Sequence, residues 1–254
     1  MTIYTKQPKV ILFNHTMGPM KNIGLAVSAW HSDDFYESID QMSLEEAKML
    51  TDKGLKAYHK VALEYVQLTF VIKNVSRAFQ QQLTRTRMAS YSIQSMRIVT
   101  KMGFASNGHY TMPPGLTEEQ QQDFHDAMLE IEWRYTTMID NGMSPENARG
   151  ILPLNIHSDI SMNISLAALY HMLRQRFCVL TQWEYRQVAL QMRSLVNEKL
   201  GPQLAEPMDA PCVAQKKCPM REEYCGVPVW KLDFYRRTNA YKNWPNNPET
   251  YEVK

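Results

Sequence analysis

The chain has 254 residues, 44% of them hydrophobic, enough to bury a substantial core without disulfides or metals. A net charge of only +2, from 28 basic and 26 acidic residues, gives no whole-chain field for nucleic acid, so any anion site must be local. No apolar run approaches the ~20 residues that span a bilayer, and the Met1–Val10 stretch, carrying Lys6, Pro8 and Lys9, lacks the apolar segment of a secretory signal. The expected setting is the cytoplasm of a bacterium or of a phage-infected cell, with no membrane or nucleic-acid partner.

Along the chain, Lys9 to Asn14 is a short apolar run of strand character. Ser43-Leu-Glu-Glu46 is a capping box whose helix is expected to run through Lys60, with Gly54 bending or dividing it. Tyr65 to Lys73 is rich in β-branched and aromatic residues and reads as a strand. Ser76 is placed to cap a helix over Arg77 to Thr84, and Asn107 to Gly115 is a turn-rich loop. Thr117-Glu-Glu-Gln120 is a second capping box, followed at helical spacing by Phe124, Met128, Ile131 and Tyr135. Ser144-Pro145-Glu146 opens another helix, and Leu166 to Leu200 reads as one long helical stretch ended by Gly201-Pro202. Beyond it, prolines from Pro202 to Pro248 break up the chain. This divides the protein into a body, residues 1–200, and a Pro- and Cys-bearing extension, 201–254, packed on the body or a neighbouring subunit. Strands and long helices without regular alternation indicate an α+β fold.

The segment Gln82 to Arg97 holds three arginines and three serines and has no carboxylate. Guanidinium forks grip phosphate in bidentate fashion and serine hydroxyls complete such a cradle, so Arg85, Arg87, Ser95 and Arg97 are candidate anion ligands. The same residues also suit a solvated basic segment paired with acids elsewhere in the fold.

Three blocks resemble the flavin-dependent thymidylate synthases. Arg85-Thr86-Arg87, seven residues, then Ser95-Met96-Arg97 is similar to the family's Arg-His-Arg signature with its following serine and arginine. Ala148-Arg149-Gly-Ile-Leu152-Pro153 resembles its Ala-Arg-x-x-Leu-Pro segment, and Arg176 with Gln182-Trp183-Glu184 resembles its third block. The resemblance implies a homotetramer with a mixed sheet, long helices and active sites shared between subunits. It implies reductive methylation of dUMP to dTMP, using FAD, NADPH and 5,10-methylenetetrahydrofolate. Gln82, Arg85, Arg87, Ser95 and Arg97 would hold the nucleotide's phosphate and sugar. Arg149 and Arg176 would contact it from a neighbouring chain, and Arg176 and Ser95 would be the catalytic pair, with Arg176 near the pyrimidine. His59, Glu64, Arg85, Thr86, Arg87, Ser165 and His171 would face the flavin. No cysteine nucleophile is implied.

This sequence departs from the family pattern on the flavin side. Thr86 stands for the signature histidine, Val61 for a Ser or Thr, and Ser165 and Ala167 for an Asn-x-Arg pair; Ile93 replaces a Glu or Gln near the sugar or base. These positions keep two other readings open: a pyrimidine-nucleotide hydroxymethylase serving modified phage DNA, and a nucleotide-binding protein without catalysis. Cys212, Cys218 and Cys225 look like a cysteine-bearing extension in phage and archaeal members, and Cys178 could add a fourth thiolate. None of their spacings is the tight two-residue kind, so no metal site is assigned. His15, His31, His109 and His125 have no visible partners, whereas His157 lies in a segment matching a family loop between site-lining elements.

Overall fold

Alternate residues of one strand, Leu68, Phe70 and Ile72, are fully buried, and this period-two pattern builds the centre of the protein. The computed structural model describes residues 3–33, 35–58, 60–178 and 180–208. Within them four strands form one sheet, β1 (Lys9–His15), β2 (Gln67–Ser76), β3 (Ala89–Ile93) and β4 (His157–Ser165), in the order β1-β2-β4-β3. Every neighbouring pair is antiparallel, which corrects the expected mixed sheet. The physical reason is an insertion. β2, a short helix α3 (Arg77–Leu83) and β3 follow each other as a parallel crossover unit would. β4 then occupies the gap between the two strands and runs against both, so no parallel pair ever touches.

The inward residues of β2 and β4 pack against two helices, α6 (Leu166–Arg176) and α7 (Trp183–Leu200). The long helix expected over Leu166–Leu200 is therefore two helices with a turn between them. Apolar residues continue through the break without a glycine or proline, so their pattern carries no trace of it. The turn lets Tyr185 on α7 fold back under Arg176, with the guanidinium carbon 4.5 Å from the ring centroid.

Two serines end strands and start helices at opposite ends of the sheet. Ser76 accepts a hydrogen bond from Phe79 N (2.9 Å) to open α3, and Ser165 accepts from Ala168 N (3.2 Å) to open α6. At the edge, α1 (Pro19–Ser28) and α2 (Leu44–Lys56) pack as a pair through glycines. A Cβ on Gly24 would meet Met42 Sδ at 2.6 Å, and one on Gly54 would meet Val27 at 3.0 Å. Gly54 thus neither bends nor divides α2; it admits a close neighbour. The Ser43 box is half formed, because Glu46 accepts from the Tyr36 hydroxyl.

A second apolar cluster, centred on Phe104, Tyr110 and Ile156, lies under α4 (Glu118–Asp140), whose Thr117 capping box is complete. The helix expected at Ser144 is a single turn, α5 (Pro145–Ala148). α8 (Pro202–Ala205) returns Leu204, Ala205 and Met208 to the main core. The remainder of the extension, with Cys212, Cys218 and Cys225, lies outside the described residues. No helix among those described is long and apolar enough to cross a membrane.

Candidate active site

β3 positions most of the signature segment. Its two ends open onto two different depressions, separated by about 13 Å of extended strand at ~3.3 Å per residue. At the Ala89 end lies a groove of about 1000 Å³, closed below by the start of α6. Arg87, Glu64, Ser165 and His171 line it, so four expected flavin residues come together there. At the Ile93 end lies a smaller depression of about 550 Å³, lined by Ser95 and Arg149 together with Arg77, Gln80 and Gln94. Ser95 Oγ accepts from Arg97 N (3.3 Å), forming a tight turn at its rim.

The loop between α3 and β3 is pinned from within. The Tyr91 hydroxyl reaches the carbonyl oxygens of Leu83 (3.0 Å) and Thr86 (2.9 Å), and burial pushes its pKa up to about 12. Tyr91 therefore stays protonated and keeps donating into this loop. Arg85 is exposed and lines neither depression, and Thr86 faces inward beside Tyr185. Burial raises the Tyr185 hydroxyl's pKa, and Thr86 and the Arg176 guanidinium oppose the rise without completing a regular hydrogen bond.

Arg97 is held away from the smaller depression. It forms an ion pair with Glu146 at the start of α5, Nε–Oε1 2.7 Å with a second contact of 3.2 Å. The carboxylate missing from the local sequence is thus supplied from elsewhere in the fold. Arg176 lines neither depression; its Nε is buried and has no hydrogen-bond partner among the described residues. His59 lies outside the described residues. Within one chain the expected nucleotide residues are consequently spread out: Ser95 with Arg149, Arg87 in the groove, Arg97 on Glu146, Gln82 on Gln182, Arg176 on Tyr185, and Arg85 exposed in neither depression.

Between them runs a buried polar chain that the sequence barely signals. Gln82 donates to Gln182 (3.2 Å), and Gln182 donates to Glu184 (3.4 Å). Glu184 also accepts from Ser76 N (2.7 Å), Ser76 Oγ and Thr111 Oγ1 (3.2 Å), while Thr111 meets His157 Nε2 at 3.1 Å. Burial, helped by the neighbouring charges of His109, Lys101 and Lys6, lowers the His157 pKa to about 3. The folded value lies below the ordinary 6.5. The neutral imidazole's contribution is therefore complete above pH 6.5 and is lost as pH falls toward the folded value. Between pH 6 and 4, wild type should lose about 1.4 kcal/mol more stability per pH unit than His157→Gln, as measured by urea unfolding.

Sequence reasoning missed Lys60, Tyr170 and Arg174 in the groove and Arg77 and Gln80 in the smaller depression. Arg174 carried a usable signal, since it follows Ala167 and His171 at helical spacing on α6.

The sequence model of a family described as "Thymidylate synthase complementing protein" matches residues 11–201. A flavin-dependent thymidylate synthase from Geobacter sulfurreducens is 33% identical over 193 residues, covering 74% of this chain and 82% of that one. One from Pyrococcus abyssi is 30% identical, covering 84% and 90%. The chain belongs to the flavin-dependent thymidylate synthase family. Membership makes it a thymidylate synthase-like methyltransferase. A crystal structure of a UMP/dUMP methylase from Streptomyces cacaoi, bound with 5-Br dUMP, superposes with a TM-score of 0.65 over 80% of this chain and 95% of that one. At 20% identity that likeness speaks for the fold alone.

The groove suits the family's flavin. Among the described residues, three cations, Lys60, Arg87 and Arg174, line it against a single carboxylate, Glu64, and its volume reaches the upper range of ligand pockets. These residues can hold a diphosphate-bearing dinucleotide.

Proposed function

We propose that the protein methylates dUMP at C5 to give dTMP, taking the carbon from 5,10-methylenetetrahydrofolate and reducing equivalents from NADPH by way of FAD. The observation carrying this reading is that β3 joins two anion-receptive depressions of unequal size. The larger suits a flavin dinucleotide, and the smaller, with Ser95, Arg149 and Arg77, suits a nucleotide phosphate. A bound flavin supplies the reducing equivalents; the protein groups hold and orient the reactants, and no side chain needs to attack the base.

In this reading Ser95, Arg149 and Arg77 take the phosphate, and Gln82, fixed through Gln182, faces the sugar. Arg85 and Arg87 flank Thr86 between nucleotide and flavin. Arg176 polarises the pyrimidine. The position of Arg176, away from both depressions of its own chain, supports a homotetramer whose sites draw Arg176 from a neighbour while Arg149 serves beside Ser95, acting in the cytoplasm. Arg97 joins the nucleotide site once it leaves Glu146.

A second reading, hydroxymethylation, is favoured by one observation: Ile93 puts an apolar wall in the smaller depression where the family has a Glu or Gln. Incubation with dUMP, FAD, NADPH and methylenetetrahydrofolate, followed by mass spectrometry, separates the two. A gain of CH2 supports methylation, and a gain of CH2O supports the alternative. Colourless protein that takes up no added FAD removes both.

A further inference from the structure

The groove contains a pair of cations that the family pattern leaves without a role. Lys60 Nζ lies 5.9 Å from the centroid of the Tyr170 ring, and the Arg174 guanidinium carbon lies 5.3 Å from the same centroid. Arg174 also reaches the Tyr170 hydroxyl at 3.5 Å. Among the described residues neither forms an ion pair with a carboxylate. The Lys60 ammonium donates instead to the backbone oxygens of Leu55 and Ala57.

Two like charges on one ring repel, and the repulsion is felt: burial first, and then the charge of Arg174, lower the Lys60 pKa. The contacts with the ring and with the backbone oxygens hold the two charges in place against this repulsion, and an anion between them relieves it. Placement favours a phosphate. Ala167 and Arg174 both line the groove, two turns apart on one side of α6, about 10 Å at 1.5 Å per residue. The family's flavin-gripping arginine would stand at 167, where this chain has only a methyl group.

We propose that Lys60 and Arg174 are the phosphate grip of the groove and take the FAD diphosphate, standing in for the absent arginine at position 167. The proposal rests on reading the groove as the flavin site. A nicotinamide dinucleotide carries the same diphosphate chemistry, so the test must tell the two apart.

Flavin-stripped protein is titrated with FAD and with riboflavin, which has no phosphate, following quenching of flavin fluorescence. In the double variant Lys60→Gln/Arg174→Gln, the Kd for FAD should rise at least about 30-fold, while that for riboflavin stays within about two-fold. Arg174→Lys keeps the charge and should bind FAD within about five-fold of wild type. An unchanged FAD Kd overturns the proposal, as does an equal loss for riboflavin or an effect confined to the KM for NADPH. Wild-type protein that takes up no FAD removes the flavin reading and this proposal together. Wild-type uptake with an unaffected double variant removes the proposal alone.

Discussion

Arg176→Ala is expected to lower kcat/KM for dUMP by at least about 100-fold while the protein still folds. Each charged hydrogen bond that a guanidinium gives to a bound base or phosphate is worth about 1.5–3 kcal/mol, or roughly 10- to 150-fold, and two of them multiply. The structure shows why the fold should tolerate the loss. Arg176 stacks on Tyr185 at 4.5 Å, a contact worth about 0.5–2 kcal/mol, and against that gain stands a buried Nε with no partner among the described residues. Alanine removes both, so the thermal midpoint should move little. Arg176→Lys keeps the charge but not the planar fork and should recover only part of the activity. Full turnover in the alanine variant would place Arg176 outside the site.

Glu184→Ala should have the largest effect on stability, about 3–5 kcal/mol, read as a fall in the urea midpoint. The carboxylate accepts from Ser76 N, Ser76 Oγ, Thr111 Oγ1 and Gln182 Nε2 in a fully buried setting. Removing it leaves several buried donors unpaired, each costing about 1–3 kcal/mol, and opens a cavity. It also frees Ser76, whose hydroxyl caps α3, the helix that carries Gln82. Burial raises the Glu184 pKa above 4.5, and the hydrogen bonds from Ser76, Thr111 and Gln182 only partly oppose the rise. The sign follows: the native state holds the proton more tightly than the unfolded chain. Its contribution is fully present below pH 4.5 and is lost as pH rises through the folded pKa. Glu184→Gln, which does not ionise, should therefore compare worst with wild type at acid pH. A Glu184→Ala midpoint equal to wild type would show that the network contributes nothing.

Local signals carried much of this fold. β1, β2, α3 and α4 stand where alternation, capping serines and threonines, and helical spacing put them, because each is set by residues within a turn or two of itself. α1 was missed: it opens on a left-handed Gly18 with no side-chain cap and buries its face against α2. β3 and β4 were missed for a different reason. Ala89–Ile93 contains two exposed serines and becomes a strand only because β4 runs beside it. The site shows the same division. Arg87 and Ser95 were legible as candidate anion ligands from residue types and clustering, and Arg149 from the family resemblance; each lines one of the two depressions. The salt bridge that holds Arg97, with Glu146 49 positions away, was not, nor was the Lys60–Tyr170–Arg174 arrangement, which joins two distant segments.

The insertion of β4 between β2 and β3 also bears on how the molecule comes into being on the ribosome. β2 emerges first, then β3, but the two never touch, and the strand that links them begins at His157, 64 residues after Ile93. Until that strand arrives, the signature segment has no sheet to join. Closing so long an intervening chain is entropically unfavourable and slows folding relative to local pairing. The larger groove therefore forms late, and a nascent chain that ends before Ser165 lacks the wall that α6 gives it.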